Sequence, residues 1–324
     1  MTYKKTFLVL LSVLILVSIF TSCQGKDESD IKIEKDKTFF YYYQESLEHY
    51  AILGVRKDSY TELSIPATFK GKPVKEISYE AFKNCQKLEK ITLSDNLVYI
   101  NAYAFSNCPN LSYTTYGNAK YLGTEDNPYY ALIRPTDENI TTCTVHSQTK
   151  VISAFAFSGE VETSGGLNIK TQIIDENGQY IDLPENPYKA CQSLTEVIFE
   201  ENSALTYINT EAFSNTSITF ISLPKSVKDI GSGAFLSSNL FKIVLHNNIT
   251  DIGKDALYTK YVNYGLLESC PIYYFGTAEE WSAVHIDDQK ADLITAHCYF
   301  YSENQPTEQG NYWRYVDNVP TAWE

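Results

Sequence analysis

Apolar residues recur along the chain at fixed intervals, in a unit that reads Ile-x-x-x-Ala-Phe. Successive units are 23 residues apart from Phe82 to Phe105 and 22 residues apart from Phe213 to Phe235. A period of this length predicts a stack of similar coils, each burying its apolar residues against the coils above and below. The full copies are Ile77–Phe82, Ile100–Phe105, Ile152–Phe157, Ile208–Phe213 and Ile230–Phe235, and Ile252–Leu257 is a weaker one.

A second block, Leu-x-x-Ile-x-Leu, lies between the Ala-Phe pairs and predicts one short strand per coil. Side chains alternate between the two faces of a strand, so Ile91 and Leu93 are expected to point inward and Lys90 and Thr92 outward. A third block, as in Val74-x-x-Ile77, returns the chain to the next Ala-Phe pair. The stack would then hold the repeated Phe side chains in one column.

These blocks predict a β-rich leucine-rich-repeat solenoid, with short parallel strands stacked in coils of about 22–23 residues. The solenoid is expected over residues 46–275, with insertions near 112–150 and 159–186. Asn177-Gly178, between two apolar segments of the second insertion, predicts a protruding hairpin. After it, Tyr188 is expected to take the Phe position.

Residues 276–324 are predicted to form a small C-terminal cap. Thr277-x-x-Glu280 has the pattern of a capping box and predicts a short helix whose Trp281 covers the last coil. The aromatic-rich segments 296–301 and 311–316 are predicted to be strands of a terminal sheet appendage.

The first residues have the pattern of an export signal. Lys4 and Lys5 precede an apolar run over residues 7–20, which is short of the ~20 residues of a membrane span and predicts a cleaved signal peptide over residues 1–22. Cys23, directly after small residues, resembles the cysteine of the bacterial lipobox, and this resemblance implies a lipid anchor. Residues 23–45 are expected to be a flexible linker. An ordinary signal peptide with an incidental cysteine is the alternative.

Composition narrows the class of partner. The formal net charge is −14, which disfavours nucleic acids and anionic lipid surfaces, so membrane contact is expected through the lipid alone. The chain contains 26 tyrosines, a residue type suited to recognition of protein or glycan.

Candidate chemistry is sparse. Cys85, Cys108 and Cys191 share one repeat position and are expected to be small buried residues, whereas Cys143, Cys270 and Cys298 remain open between free thiols and disulfides. The histidines are scattered and there is no Cys-x-x-Cys pair, so neither metal nor cofactor is predicted. His297 and Cys298 are neighbours that face opposite ways in a strand, and the carboxylate pairs Asp137-Glu138 and Asp287-Asp288 are expected to be solvated. Catalysis is therefore not expected.

The repeats AFKNCQKLEKITL (residues 81–93) and AFSNTSITFISLP (residues 212–224) resemble those of the BspA-like surface leucine-rich-repeat family. Residues 118–133 and 273–284 look like further segments of such proteins. The resemblance covers roughly residues 60–275 and implies a surface protein that binds or adheres to extracellular molecules.

The outward strand positions are the predicted binding face, presented outside the cell by a monomer to an unidentified extracellular protein or glycan. Two alternatives remain: an envelope scaffold that holds a neighbouring surface protein, and, more remotely, a surface hydrolase. The residues of this predicted face are Tyr113, Thr115, Glu196, Ile198, Phe220, Ser222, Lys242 and Val244.

Overall fold

The computed structural model describes residues 32–158, 172–174, 180–182, 190–260, 270–288 and 291–323. The predicted signal peptide and Cys23 lie outside these residues. The described chain divides into two compact units. The first holds residues 32–112 with the strands at 172–174 and 180–182, and the second holds residues 113–158 and 190–323.

The described elements are mostly short strands. In chain order they begin with β1 Ile33–Lys35, β2 Phe39–Gln44, β3 His49–Val55, β4 Glu62–Ser64, β5 Thr68–Phe69, β6 Lys72–Ile77, β7 Lys90–Thr92, β8 Tyr99–Ile100, β9 Thr114–Tyr116, β10 Ala119–Leu122, β11 Ala131–Pro135, β12 Thr142–Val145 and β13 Val151–Ile152. They continue with β14 Gln172–Ile174, β15 Tyr180–Asp182, β16 Glu196–Phe199, β17 Tyr207–Ile208, β18 Phe220–Ser222, β19 Asp229–Ile230, β20 Lys242–His246, β21 Asp251–Ile252, β22 Ile272–Phe275, α1 Ala278–Ser282, β23 His285–Ile286, α2 Ala291–Ala296, β24 Cys298–Tyr301, β25 Tyr312–Val316 and β26 Val319–Ala322.

The predicted solenoid is confirmed in the pairing of these strands. In the second unit the third block of each coil forms one rung of an eight-stranded sheet, ordered β23-β21-β19-β17-β13-β11-β10-β9. From β11 to β23 the pairs are parallel, and Ile152, Ile208, Ile230 and Ile252 follow one another in register. All four side chains are buried, because each coil presents the same apolar residue to the next.

The Phe column is also confirmed within each unit. In the first unit Phe82 and Phe105 stack with ring centroids 5.4 Å apart. In the second, Phe213 stacks on Phe157 at 5.2 Å and on Phe235 at 5.4 Å, with the planes within 8° of parallel. All five rings are buried, since the coil rise brings identical side chains to the spacing of stacked rings.

One residue of each Ile-x-x-x-Ala-Phe unit adopts a left-handed backbone conformation. It is always the third residue after the Ile, and its φ lies between 50° and 61°. Only one of these six residues is glycine, Gly233, so the other five adopt a backbone conformation that normally favours glycine. The six residues are Glu80, Tyr103, Phe155, Glu211, Gly233 and Asp255.

The predicted flexible linker over residues 23–45 is wrong for residues 33–44, which form β1 and β2. These strands continue antiparallel into β3, which pairs in parallel with β6. Phe39 and Tyr41 alternate toward the core and are buried, and Phe39 packs edge-on against Phe82 at 6.3 Å. The segment thus covers the first coil with aromatic side chains, which a solvated linker does not carry.

The two insertions differ. Residues 112–150 build a coil of their own, because β11 joins the eight-stranded sheet and β12 pairs in parallel with β16. The hairpin predicted in the second insertion is confirmed by the antiparallel pair β14 and β15, although its turn lies outside the described residues. Tyr188 also lies outside them. Phe157 stacks directly on Phe213 in the Phe column.

At the C-terminus the predicted capping box is confirmed. The Thr277 hydroxyl accepts from the Glu280 N–H at 3.2 Å, and the Glu280 carboxylate accepts from the Thr277 N–H at 2.8 Å. Trp281 is buried against Tyr274, with the rings 5.0 Å apart. The strands beyond α1 were predicted to form a terminal sheet appendage, but they do not form a sheet of their own. Instead β24 pairs in parallel with β22 and continues the sheet β18-β20-β22-β24-β25-β26.

Candidate functional site

The regular surface of the second unit is the set of side chains that point away from the core on β12, β16, β18, β20, β22 and β24, called here the outer face. Strand register arranges these side chains in rows across the coils. One row places Phe220 opposite Lys242, and the next places Ser222 opposite Val244. On the preceding pair of strands, Thr144 lies opposite Ile198.

Half of the predicted binding residues are solvent-accessible members of this face. Ile198 and Phe220 keep 45% and 40% of their surface exposed, although both are large apolar side chains. Glu196 and Ser222 are exposed beside them. Large exposed apolar residues on a regular sheet surface are the usual mark of an interaction site when they lie together.

Two predicted residues lie elsewhere. Tyr113 immediately precedes β9 and Thr115 lies within it, and β9 is the edge strand of the eight-stranded sheet. The prediction that they share a face with Phe220 is therefore wrong. The insertion after residue 112 shifts the alternation of strands, so that β9 pairs antiparallel with β10 and does not take the place of an outer strand.

Val244 is also wrongly predicted, because its side chain is fully buried. The cause is the hairpin formed by β25 and β26, which folds back over the outer face. Trp313 of this hairpin is buried with Val244 and Tyr273 in one apolar cluster. Its indole N–H donates to the Tyr274 carbonyl at 3.0 Å, a bond that reaches across β24 to β22.

Lys242 contacts the second strand of the hairpin, β26. Its ammonium donates to the Pro320 carbonyl at 3.0 Å and lies 5.1 Å from the centroid of the Tyr273 ring. Burial of this side chain lowers the pKa of Lys242. The predicted role of Lys242 as an open contact is thus corrected: it is half-buried and already holds two partners of its own chain.

Sequence reasoning missed the aromatic cluster beneath and around the hairpin. Trp313 packs edge-on against Phe275, Tyr301 and Tyr315, with centroids between 4.7 and 5.2 Å apart. His246 stacks on Phe275 at 4.6 Å, and burial together with the Lys225 charge lowers the pKa of His246, which favours the neutral ring. Aromatic residues at every second position of β22, β24 and β25 were the available signal.

The hairpin tip adds exposed apolar surface that was also missed. Val316 and Val319 lie opposite each other, 40% and 52% exposed, and flank the turn residues Asp317 and Asn318. Both turn residues have positive φ, at 49° and 62°, as a tight hairpin turn requires. Pro320 follows in the edge strand β26, where the lack of an N–H discourages pairing with another strand.

The cysteines that the sequence offered as candidates for chemistry lie in the core. Cys143 and Cys191 are buried and free, and burial raises the pKa of each thiol to about 12, which favours the unreactive form. Cys270 and Cys298 are likewise buried and free. Among the described residues, no group of three His, Cys, Asp or Glu side chains is placed to hold a metal ion.

The paired carboxylates have local structural roles. Asp288 accepts from the Asp255 N–H at 2.9 Å, within a turn of the last repeat. Asp137 accepts from the Asn139 N–H at 2.7 Å, as in an Asx turn. Neither helix in the part of the chain that the structure describes is long and apolar enough to span a bilayer.

Coils with one Ile-x-x-x-Ala-Phe unit each, stacked through parallel rungs and presenting a regular outer face, define a leucine-rich-repeat solenoid. The family described as "BspA type Leucine rich repeat region" matches residues 55–159 and 164–269, in 6 copies. The match covers more than half of the chain, and the chain belongs to this family. No curated protein sequence matches it.

Solved structures of leucine-rich-repeat proteins are similar to this chain. A Treponema pallidum (T. pallidum) leucine-rich-repeat protein has 19% identity, covering 79% of this chain and 86% of its own, with a TM-score of 0.29. A leucine-rich cell surface protein from Faecalibacterium prausnitzii has 14% identity, covering 80% and 73%, with a TM-score of 0.26. The pneumococcal vaccine antigen PcpA has 14% identity, covering 84% and 94%, with a TM-score of 0.27.

Proposed function

We propose that this chain is a surface binding protein, exported by its N-terminal signal, anchored by a lipid on Cys23, and that it contacts an extracellular protein or glycan through the outer face. The observation that carries the proposal is the pair Ile198 and Phe220, which are exposed on the outward strands of successive coils, β16 and β18. The inward residues Ile221 and Leu223 beside Phe220 are buried, and Val197 and Phe199 beside Ile198 pack against the same core, so the outward side chains are positioned before a ligand arrives.

Further support comes from the N-terminal pattern and from family membership. A leader that ends at a cysteine is typical of an exported lipoprotein, and such export would bring the acidic, patterned surface of the repeats into contact with extracellular macromolecules. We propose adhesion as the specific form of this binding, because the BspA-like repeats resemble those of bacterial surface proteins. The regular strand face gives such a protein an extended contact area.

The proposal is tested with the chain from Ser29 onward, which contains every described residue. The purified protein is applied to immobilised matrix proteins, to a glycan array and to intact bacteria, as wild type, as Phe220→Ser and as Tyr113→Ser. We expect a ligand that Phe220→Ser no longer retains and that Tyr113→Ser still binds, because only Phe220 belongs to the outer face. Binding to none of these surfaces, or equal losses in both variants, would contradict the proposal.

The scaffold alternative makes a different prediction. A protein that only holds a neighbouring envelope protein would give one stoichiometric partner when intact cells are crosslinked, and the purified chain would bind none of the surfaces above. Crosslinking of cells that carry Phe220→Ser would then locate the neighbour, since loss of the same crosslink would indicate that it contacts the outer face.

A further inference from the structure

Three exposed apolar side chains of the second unit, Phe220, Val316 and Val319, are linked to one place on the outer face by Lys242 and the C-terminal hairpin. Phe220 lies opposite Lys242 in the strand register, and the Lys242 ammonium holds the carbonyl of Pro320. Val319 directly precedes Pro320, and Val316 lies opposite Val319. The hairpin tip therefore lies close to the strand pair that carries Phe220, which is exposed.

This open part continues a surface that already binds polypeptide. In the row that contains Ser222, the next strands contribute Val244 and Tyr273, and both are covered by the hairpin through Trp313. The hairpin shows what the outer face accepts: apolar and aromatic side chains, with a donor that reaches a strand carbonyl. On β18 and β16, the side chains of Ser222 and Ile198 are exposed and are not covered by the hairpin.

From this continuity we propose that the occupant of the open part is an apolar segment of a partner polypeptide, bound between the hairpin tip and Phe220, so that the hairpin forms one wall of the site. The inference rests on the proposed function, which left open whether the partner is a protein or a glycan, and it specifies a protein. Ile198, Phe220, Val316 and Val319 all keep a large part of their apolar surface exposed. Aliphatic surface beside an aromatic ring is typical of the centre of a protein interface.

The experiment uses the chain from Ser29 onward and a phage-displayed library of random twelve-residue peptides as the probe, with a glycan array in parallel. Variants Phe220→Ser and Val319→Ser lie on the two sides of the proposed site. Leu47→Ser is the matched control, because Leu47 is a comparably exposed apolar residue of the first unit. All three substitutions are at exposed positions, and circular dichroism verifies that each variant is folded.

The proposal predicts enriched apolar peptides that bind both Phe220→Ser and Val319→Ser at least about tenfold more weakly and bind Leu47→Ser unchanged. Peptides that are sensitive to Phe220→Ser but not to Val319→Ser would overturn the role of the hairpin as a wall. A glycan that binds through Phe220 while no peptide is enriched would overturn the polypeptide partner and leave the proposed function standing. The absence of any ligand in both arrays would overturn both.

Discussion

Replacement of Phe213 by Ala removes the middle ring of the three-ring column in the second unit. The ring is fully buried, between Phe157 at 5.2 Å and Phe235 at 5.4 Å, and its loss leaves a cavity that two neighbouring coils line. Phe→Ala substitutions in cores cost about 3–5 kcal/mol, and a lost aromatic pair adds roughly 0.5–1.5 kcal/mol. We expect Phe213→Ala to lower the free energy of unfolding by at least about 3 kcal/mol.

Urea denaturation followed by circular dichroism measures this change, and a double-mutant cycle isolates the stacking. Phe213→Ala combined with Phe235→Ala should cost less than the sum of the single variants by roughly 0.5–1.5 kcal/mol, because the shared contact is lost only once. Phe157→Ala combined with Phe235→Ala should be additive, since Phe213 separates the two rings. The matched surface control is Phe220→Ala, which should change stability by less than about 0.5 kcal/mol.

A cost for Phe213→Ala below about 1 kcal/mol would refute the stacked-column account. So would equal coupling in the two cycles, because the rings of Phe157 and Phe235 are predicted to interact only through Phe213. A fall of the slope of the urea dependence in the variant would indicate that unfolding is no longer a single transition, and each coil block would then be followed separately by hydrogen exchange.

Three further predictions concern charge, the hairpin and the anchor. Burial and the adjacent Asp251 raise the pKa of Asp229 from 3.8 to about 6, so the stability that this residue contributes at low pH is lost as the pH rises through that interval. In urea unfolding, Asp229→Asn should therefore stabilise the protein by up to about 3 kcal/mol at pH 7 and not at pH 3. The same pH dependence of stability in the variant and the wild type would contradict this. Trp313→Ala should raise hydrogen exchange in β25 and β26 at least tenfold and leave β17 and β19 unchanged, because the indole buries Val244; protection equal to wild type would contradict the cover. Cys23→Ala should abolish incorporation of labelled fatty acid and release the protein into the soluble fraction, whereas retention of the label would contradict the anchor.

The repeat could be predicted from the sequence because each coil buries the same residue types at the same interval. The Phe column, the inward pair Ile91 and Leu93 and the capping box of α1 all follow from local patterns whose physical cause lies within one or two coils. The left-handed residues could not be predicted in this way. At Glu80 and Tyr103 the conformation is imposed by the coil, whereas the residue types favour ordinary backbone.

The binding face was only partly predictable for a different reason. Alternation along a strand indicates which side chains point outward, but it does not indicate what lies on top of them. Val244 has the pattern of an exposed residue and is buried by Trp313, which is 69 positions further along the chain. Tyr113 has the pattern of a strand residue of the outer face, and the strand after it turns back antiparallel.

The central claim, that this solenoid binds its extracellular ligand through the outer face, is tested most directly by side-chain footprinting with mass spectrometry. The chain from Ser29 onward is oxidised with hydroxyl radicals alone and in complex with the ligand that the surface panel identifies. The account predicts protection of Ile198, Phe220 and Val319 in the complex, with Leu47 and Tyr113 oxidised as in the free protein. Protection of Leu47 or Tyr113, with Phe220 still oxidised, would contradict it.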